Sequence, residues 1–219
     1  MNYKMLIILL FVFLFSPFIM SQNIYTPDLK DIFNGAEWNG KFVSAELTKK
    51  DSSDAIMIAK TDGDHLIWLK DFNFKNGTIE FDAKGKSNPP QSSFIGVVFR
   101  VADKDTFDAV YFRPFNFQSP NPVSKSHSVQ YTSHPYWTWY RLRNDRPGEY
   151  EKEIDPAPNG DEWFHAKIIV HKPEVKVFVN GAEEPSLVVN ELSDRTGGSV
   201  GILCNGFGMI ANMKIEKSE

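Results

Sequence analysis

Short runs in which apolar and polar residues alternate recur along most of the chain, and each run ends at Gly, Pro, Asn or Asp. Such alternation is typical of β-strands with one face in a core, and helical periodicity is nearly absent. The pattern predicts an all-β fold, either a sandwich or a barrel, with a hairpin that turns at Asn180-Gly181. The predicted strands are 65–69, 77–85, 93–101, 108–115, 127–132, 162–170, 174–181, 199–204 and 209–216.

Successive side chains of a strand point to opposite faces, so each strand can be divided into a core set and a second set. The predicted core set is Ile79, Phe81, Ala83, Ile95, Val97, Phe99, Val110, Phe112, Val129, Phe164, Ala166, Ile168 and Val170. The second set is Glu80, Asp82, Arg100, Tyr111, Arg113 and Gln130, with Gly96 leaving a hollow between them. We interpret this second set as one polar and aromatic groove on a sheet. The alternative is an internal network in which the two arginines pair with Glu80 and Asp82.

The most aromatic stretch is SHPYWTWYRLR, residues 133–143. Trp139 is the candidate platform on which a ligand ring could stack, and His134 is a candidate ligand contact. Trp137 shares its strand parity, which predicts that one of the two tryptophans is buried. The alternative is that all these rings pack beneath a long loop.

The first 21 residues have the layout of a secretory signal peptide: Lys4, an apolar run, Pro17, and Ser21 near a cleavage point. A membrane anchor is the alternative reading of this run. We expect cleavage, which leaves residues 22–219 as a single domain, secreted or periplasmic and with no membrane contact. A net charge of −4 and the lack of a Lys/Arg cluster argue against a nucleic-acid partner.

Several residues could suggest a metal, but their spacing is unfavourable. His127, His134 and His165 match no compact zinc pattern. Asp103, Asp105 and Asp108 could form a calcium loop, yet they lack the glycine and distal glutamate of an EF-hand. We therefore expect no metal and no cofactor, with a solvated acidic turn as the interpretation of the aspartates.

Five motifs in order carry a resemblance to a known superfamily: NGTIEFDAKG with SSFIGVVFR, HSVQY, EWFHAKIIV, VKVFVNG and SVGILCNGFGMIANMKI. Together they resemble the concanavalin A-like lectin/glucanase superfamily, and more narrowly bacterial exported 3-keto-disaccharide hydrolase or family-sixteen-glycosidase-like domains. The resemblance implies a jelly-roll β-sandwich of two antiparallel sheets whose concave face binds a sugar.

The same resemblance raises the question of catalysis. Glu80 and Asp82 match the first two carboxylates of the glucanase motif, but Lys84 and Gly85 stand where the third is expected. Retaining hydrolysis needs two carboxyl groups about 5–5.5 Å apart, whereas residues two apart on a strand are separated by roughly 6.6–6.8 Å. If the protein is an enzyme, Glu80 and Asp82 are the candidate catalytic residues.

Three functions therefore remain open. The first is carbohydrate binding through Glu80, Arg100, Tyr111, Arg113, Gln130, His134 and Trp139. The second is glycoside hydrolysis of a disaccharide or oligosaccharide. The third is a non-catalytic interaction module whose groove is covered by another protein or by residues 22–50. The oligomeric state and the sugar are not specified by the sequence.

Overall fold

A computed structural model describes residues 23–40, 44–59, 65–91 and 93–218. The predicted signal peptide, residues 1–21, lies outside the described residues. Within the described ranges, no helix is both long enough and apolar enough to cross a membrane.

The strands of the described residues form two antiparallel sheets. Sheet A has the strand order β13-β12-β11-β6-β15-β4-β3, with β1 paired to β15, and sheet B has the order β10-β9-β8-β7-β14-β5-β2. The strands are β1 Asn23–Tyr25, β2 Trp38–Asn39, β3 Ala45–Lys50, β4 Ser53–Ile58, β5 His65–Leu69, β6 Asn76–Lys84, β7 Phe94–Asp103, β8 Thr106–Phe112, β9 Val129–Ser133, β10 Glu151–Lys152, β11 Phe164–His171, β12 Glu174–Val179, β13 Leu187–Asn190, β14 Ser199–Asn205 and β15 Gly208–Ser218. Three short helices, α1 Asp31–Asn34, α2 Pro122–Lys125 and α3 Trp139–Asp145, lie in the connections, with one 3-10 turn at Pro114–Asn116.

The inner faces of the two sheets share one apolar core. Phe81 of β6 and Phe112 of β8 meet across it edge to face, with ring centroids 6.3 Å apart, and Phe112 also contacts Phe164 of β11 at 5.1 Å. All thirteen residues of the predicted core set are buried in this cluster. Burial of this apolar surface is the main contribution to holding the sheets together.

The outer face of sheet B carries a second apolar cluster. It consists of Val98, Val101, Phe107, Ala109, Tyr111 and Leu203, with Leu66, Trp68 and Phe94 packed against it. Sheet B therefore carries buried apolar side chains on both faces, whereas an antiparallel sheet commonly has one polar, solvated face. This cluster supports the site described below.

All nine predicted strands are confirmed, as is the hairpin, in which Asn180 and Gly181 both have positive φ and β12 pairs with β13. The prediction missed β1–β4, the short β10 and the helices. Strand β3, AELTKK, has no buried residue and half of its residues are charged, so its sequence carries little alternation. The described residues of 22–50 extend the sheets through β1, β2 and β3 rather than lying over the second cluster.

Candidate functional site

A cavity of about 450 Å³ opens on the outer face of sheet B. Its floor comes from β7, β8 and β14, and its walls come from the two connections that flank β9. The residues that line it are Ser93, Phe94, Phe107, Tyr111, Arg113, Phe115, Asn116, Ser124, His127, His134, Trp139, Arg143, Leu203 and Asn205. Its volume lies within the range of about 300–1,000 Å³ that is usual for small-molecule sites.

One row of directly opposed residues crosses sheet B beneath this cavity. It runs through Glu151, Gln130, Tyr111, Gly96, Leu203 and Leu66 on six neighbouring strands. Directly opposed residues of antiparallel strands share a face. The row is therefore polar at the β10 end and apolar at the β5 end, with a glycine in the middle.

Gly96 separates the two halves of this row. Its strand approaches β8 so closely that a Cβ at this position would lie 2.2 Å from the carbonyl oxygen of Val110. Tyr111 and Leu203 are its neighbours on either side, and both line the cavity. The space above Gly96 is thus filled by the neighbouring strand, and Gly96 does not line the cavity, so the predicted hollow at this position is wrong.

Arg113 follows the last residue of β8 and joins the polar half of the row. Its Nη2 donates to Oε1 of Gln130 at 2.7 Å and to the hydroxyl of Tyr111 at 3.2 Å. Its Nη1 donates to the carbonyl oxygen of His127 at 3.1 Å, and the guanidinium lies 5.0 Å over the ring of Tyr111. Burial lowers the pKa of Arg113 from the ordinary value of an arginine, but arginine remains a cation at neutral pH. The site thus has a fixed, nearly buried positive donor.

Glu151 connects a second set of charges to the same cavity. Its carboxylate accepts two bonds from Nε and one from Nη2 of Arg143, all within 2.9–3.0 Å, and lies 2.9 Å from Nδ1 of His127. The two atoms are close but not aligned for a hydrogen bond, so the negative charge of the carboxylate is what favours a proton on Nδ1 and leaves Nε2 as an acceptor. Sequence reasoning missed Glu151 and Arg143, and it left His127 out of the candidate ligand contacts. His127 is the first residue of the HSVQY motif, and that position was the available signal.

We expect the imidazole of His127 to titrate below the ordinary histidine pKa of about 6.5. Burial is the largest cause; Arg143 and Arg113 add to it, and Glu151 opposes it only in part. The folded protein holds His127 neutral, so the unfolded chain takes up the proton more readily. Its contribution to the free energy of unfolding is thus present above pH 6.5 and decreases as the pH falls towards the folded-state pKa.

An NMR titration of the ring protons measures this pKa directly, with His127→Asn identifying the resonance. The same variant is expected to lose less stability than the wild type between pH 7 and 5.5. A midpoint at or above about 6.5 would contradict the expectation.

His134 and Trp139 both line the cavity, as do Tyr111 and Arg113. The ring of His134 stacks on Phe107 at 4.5 Å. Trp139 is 45% exposed, at the start of α3, whereas Trp137 packs against the main core. The structure therefore brings together four of the predicted site residues at the cavity and places Gln130 in its supporting network.

Glu80 and Asp82 lie elsewhere, so the prediction of one shared face is wrong for them. Both are on β6, in sheet A. Asp82 accepts from Nδ2 of Asn212 at 2.6 Å and lies 2.8 Å from Nδ1 of His165, and Nε2 of that ring lies 3.3 Å from Glu80. Strand parity placed the two acids on the outer face of β6. That strand belongs to sheet A, whereas the cavity lies on sheet B.

The carboxyl group of Asp82 is ionised at neutral pH. Burial alone raises its pKa, but hydrogen bonds from Asn212, His165 and Lys50 outweigh burial, and the pKa is lowered overall. A low pKa is unsuited to a general acid, which must hold a proton near the working pH. The internal-network interpretation thus describes Asp82 better than the groove interpretation, although its partners are not the arginines that were expected.

Arg100 is also absent from the cavity, and its predicted direction is wrong. A β-bulge between Phe99 and Asp103 changes the register of β7, and Arg100 has a φ of 52°. Its fully buried side chain donates from Nε and Nη2 to Glu191 at 2.9 and 2.7 Å. A bulge turns a side chain away from the face that simple alternation assigns to it.

Asp108 does not belong to the exposed acidic turn at Asp103 and Asp105, because it lies within β8. Asp108 is buried and accepts from Arg195 at 2.8 Å and from the hydroxyl of Ser193 at 2.7 Å. Asp103 instead accepts from the backbone N–H of Asp105 within the exposed turn. Asp103 and Asp108 therefore serve different parts of the structure.

Comparison with solved structures identifies the fold. A carbohydrate-binding module, CBM66 from Bacillus subtilis, matches with a TM-score of 0.55 at 13% identity, over 82% of this chain and 95% of that one. A Bacillus licheniformis beta-glucanase matches at 0.52 and 10% identity, over 84% and 92%. The carbohydrate recognition domain of Emp46p matches at 0.55 and 9% identity, over 87% and 92%.

These likenesses, with the two antiparallel sheets, establish the jelly-roll β-sandwich of concanavalin A-like proteins. A search of curated proteins gives no significant match. A sequence profile, however, matches residues 28–210, which is most of the chain. The protein belongs to the 3-keto-alpha-glucoside-1,2-lyase-like domain family.

Proposed function

We propose that the protein binds a carbohydrate in the cavity on sheet B. The observation that carries this proposal is the row from Glu151 to Leu66, which divides the floor into a polar half and an apolar half. A sugar ring has the matching character, because its hydroxyl groups form hydrogen bonds and its C–H faces pack on apolar and aromatic surfaces. Arg113 supplies donors to the hydroxyls, and Trp139 supplies a ring at the rim.

The comparisons support the same proposal. Two of the solved relatives are described as carbohydrate-binding, and the beta-glucanase acts on a glucan by name. The leader-like residues 1–21 support a location outside the cytoplasm, secreted or periplasmic.

A soluble glycan panel tests the proposal. We would measure the unfolding temperature of the protein with each glycan and assay the same samples for released sugar. A ligand that binds only the folded state raises this temperature, and at least one glycan is expected to do so. A panel that includes α-glucosides and leaves the unfolding temperature unchanged throughout would reject the proposal.

A second candidate function is β-elimination, favoured by the position of His127. In a 3-keto glucoside the carbonyl at C3 acidifies the proton on C2. A neutral base removes that proton, the C1–C2 double bond forms, and the C1–oxygen bond breaks, with a proton passing to the departing alcohol. The neutral His127, oriented by Glu151, is such a base, and it lines the cavity. Arg113 would stabilise the negative charge that develops on the keto oxygen.

His127→Gln separates this function from binding alone. In an enzyme, the substitution is expected to lower turnover of a 3-keto glucoside by about 100-fold or more, while the dissociation constant changes little. Glu80→Gln is the matched control and tests the hydrolase alternative, because Glu80 lies on the other sheet. If Glu80→Gln alone stopped sugar release, the hydrolase interpretation would replace elimination.

A further inference from the structure

Three aromatic side chains are exposed within five residues beside the cavity. Tyr136 is 56%, Trp139 45% and Tyr140 65% exposed. Single exposed aromatics are common on proteins, but a contiguous group indicates an interaction surface. We call Trp139 and Tyr140 the α3 platform.

The α3 platform is held in place by buried charge. Glu151 is nearly inaccessible and fixes the guanidinium of Arg143, which lies 5.0 Å over the ring of Trp139. The rings of Trp139 and Tyr140 meet edge to face, with centroids 5.7 Å apart. Thr138 begins the helix, and its side chain accepts from the backbone N–H of Arg141. Rings that are already ordered lose little conformational entropy when a ligand stacks on them.

The α3 platform is continuous with the cavity. Trp139 and Arg143 line the cavity, whereas Tyr140, the next residue after Trp139, is outside the lining. The rings of Trp139 and Tyr140 are in contact, so a chain that leaves the cavity across Trp139 reaches Tyr140. A protein bound to the same rings would instead block the mouth of the cavity. The geometry therefore favours a ligand that begins inside the cavity and extends over these rings.

We propose that the α3 platform is a second sugar subsite, so that the protein takes a glycan longer than the cavity holds. This inference rests on the proposed carbohydrate function. The terminal unit lies over the row on sheet B, and the following units stack their C–H faces on Trp139 and Tyr140. The substrate class is then an oligosaccharide or the end of a polysaccharide chain, not a free monosaccharide.

The experiment compares maltose with maltohexaose, because the family description names a 3-keto-alpha-glucoside and both sugars contain α-linked glucose. Calorimetric titration of the wild type is expected to give tighter binding of maltohexaose. Tyr140→Ala is expected to weaken maltohexaose about three- to tenfold and to leave maltose unchanged. Tyr136→Ala is the matched control: this tyrosine is also more than half exposed, but Arg141 already covers its ring at 3.6 Å.

The outcomes distinguish the subsite from the function. If the wild type binds both sugars equally, or Tyr140→Ala weakens both alike or neither, the cavity binds sugar and the α3 platform is not a subsite. Loss of maltohexaose affinity in Tyr136→Ala but not in Tyr140→Ala would also overturn the assignment. If the wild type binds neither sugar, the α-glucoside function fails and the subsite fails with it.

Discussion

Replacing Arg113 with methionine is expected to weaken carbohydrate binding by about 30- to 100-fold, which corresponds to about 2–3 kcal/mol. The guanidinium is the most buried charged group that lines the cavity, and it holds Gln130 and the Tyr111 hydroxyl in place. Its removal deletes a charged donor to the ligand and leaves Oε1 of Gln130 without its best partner. Isothermal titration with a glycan from the panel measures the change.

Arg146→Met is the control for that experiment. Arg146 also lies over aromatic rings, 5.1 Å from the Trp137 centroid and 5.9 Å from that of Tyr150, but it does not line the cavity. It should retain wild-type affinity. Arg113→Lys tests whether the planar guanidinium is needed, since a lysine keeps the positive charge but not the planar arrangement of donors. We expect this variant to retain only part of the wild-type affinity. Equal affinity in Arg113→Met and the wild type would remove Arg113 from the site.

Replacing Glu191 with glutamine is expected to destabilise the protein by about 3–5 kcal/mol. Glu191 accepts two hydrogen bonds from Arg100, and both side chains are almost completely inaccessible. The substitution leaves a buried guanidinium without its counter-charge, because the nearest other acid, Asp108, is 4.0 Å from Arg100 and is already paired with Arg195. Urea unfolding followed by tryptophan fluorescence measures the loss.

The double variant Arg100→Met/Glu191→Met is the comparison for that prediction. Replacing both members of a buried pair by apolar side chains is often nearly neutral, so it should recover much of the stability lost in Glu191→Gln. Its sugar affinity should remain that of the wild type, because neither residue lines the cavity. A Glu191→Gln variant as stable as the wild type would mean that the pair contributes no net stability.

Alternation along single strands was a sound guide to local structure. It predicted the inward set correctly, and it placed Tyr111, Gln130 and Arg113 together because their two strands are neighbours in one sheet. It could not assign Glu80 to a sheet, since parity defines a face of a strand and says nothing about which strands pair over long range. That pairing joins β6 to β11 and β15, far from it in sequence.

The other misses also have physical causes. The predicted direction of Arg100 was wrong because of the β-bulge in β7, and a bulge leaves no signature in the pattern of apolar residues. Glu151 lies on a two-residue strand, too short to show alternation, and α3 is too short for helical periodicity. Glu151, with Arg143 bound to it, reaches His127 through the pairing of β9 with β10, whereas Arg113 reaches it from the end of β8.

The division of the cavity between floor and walls has a consequence for how its selectivity can change. The floor consists of strand residues whose backbones hold sheet B together, whereas most of the walls come from residues 113–128 and 134–150, which join β8 to β9 and β9 to β10. Insertions and substitutions in such connections are tolerated far better than in paired strands. New ligand preferences could thus be acquired by exchanging these two segments between relatives while the sandwich stays the same.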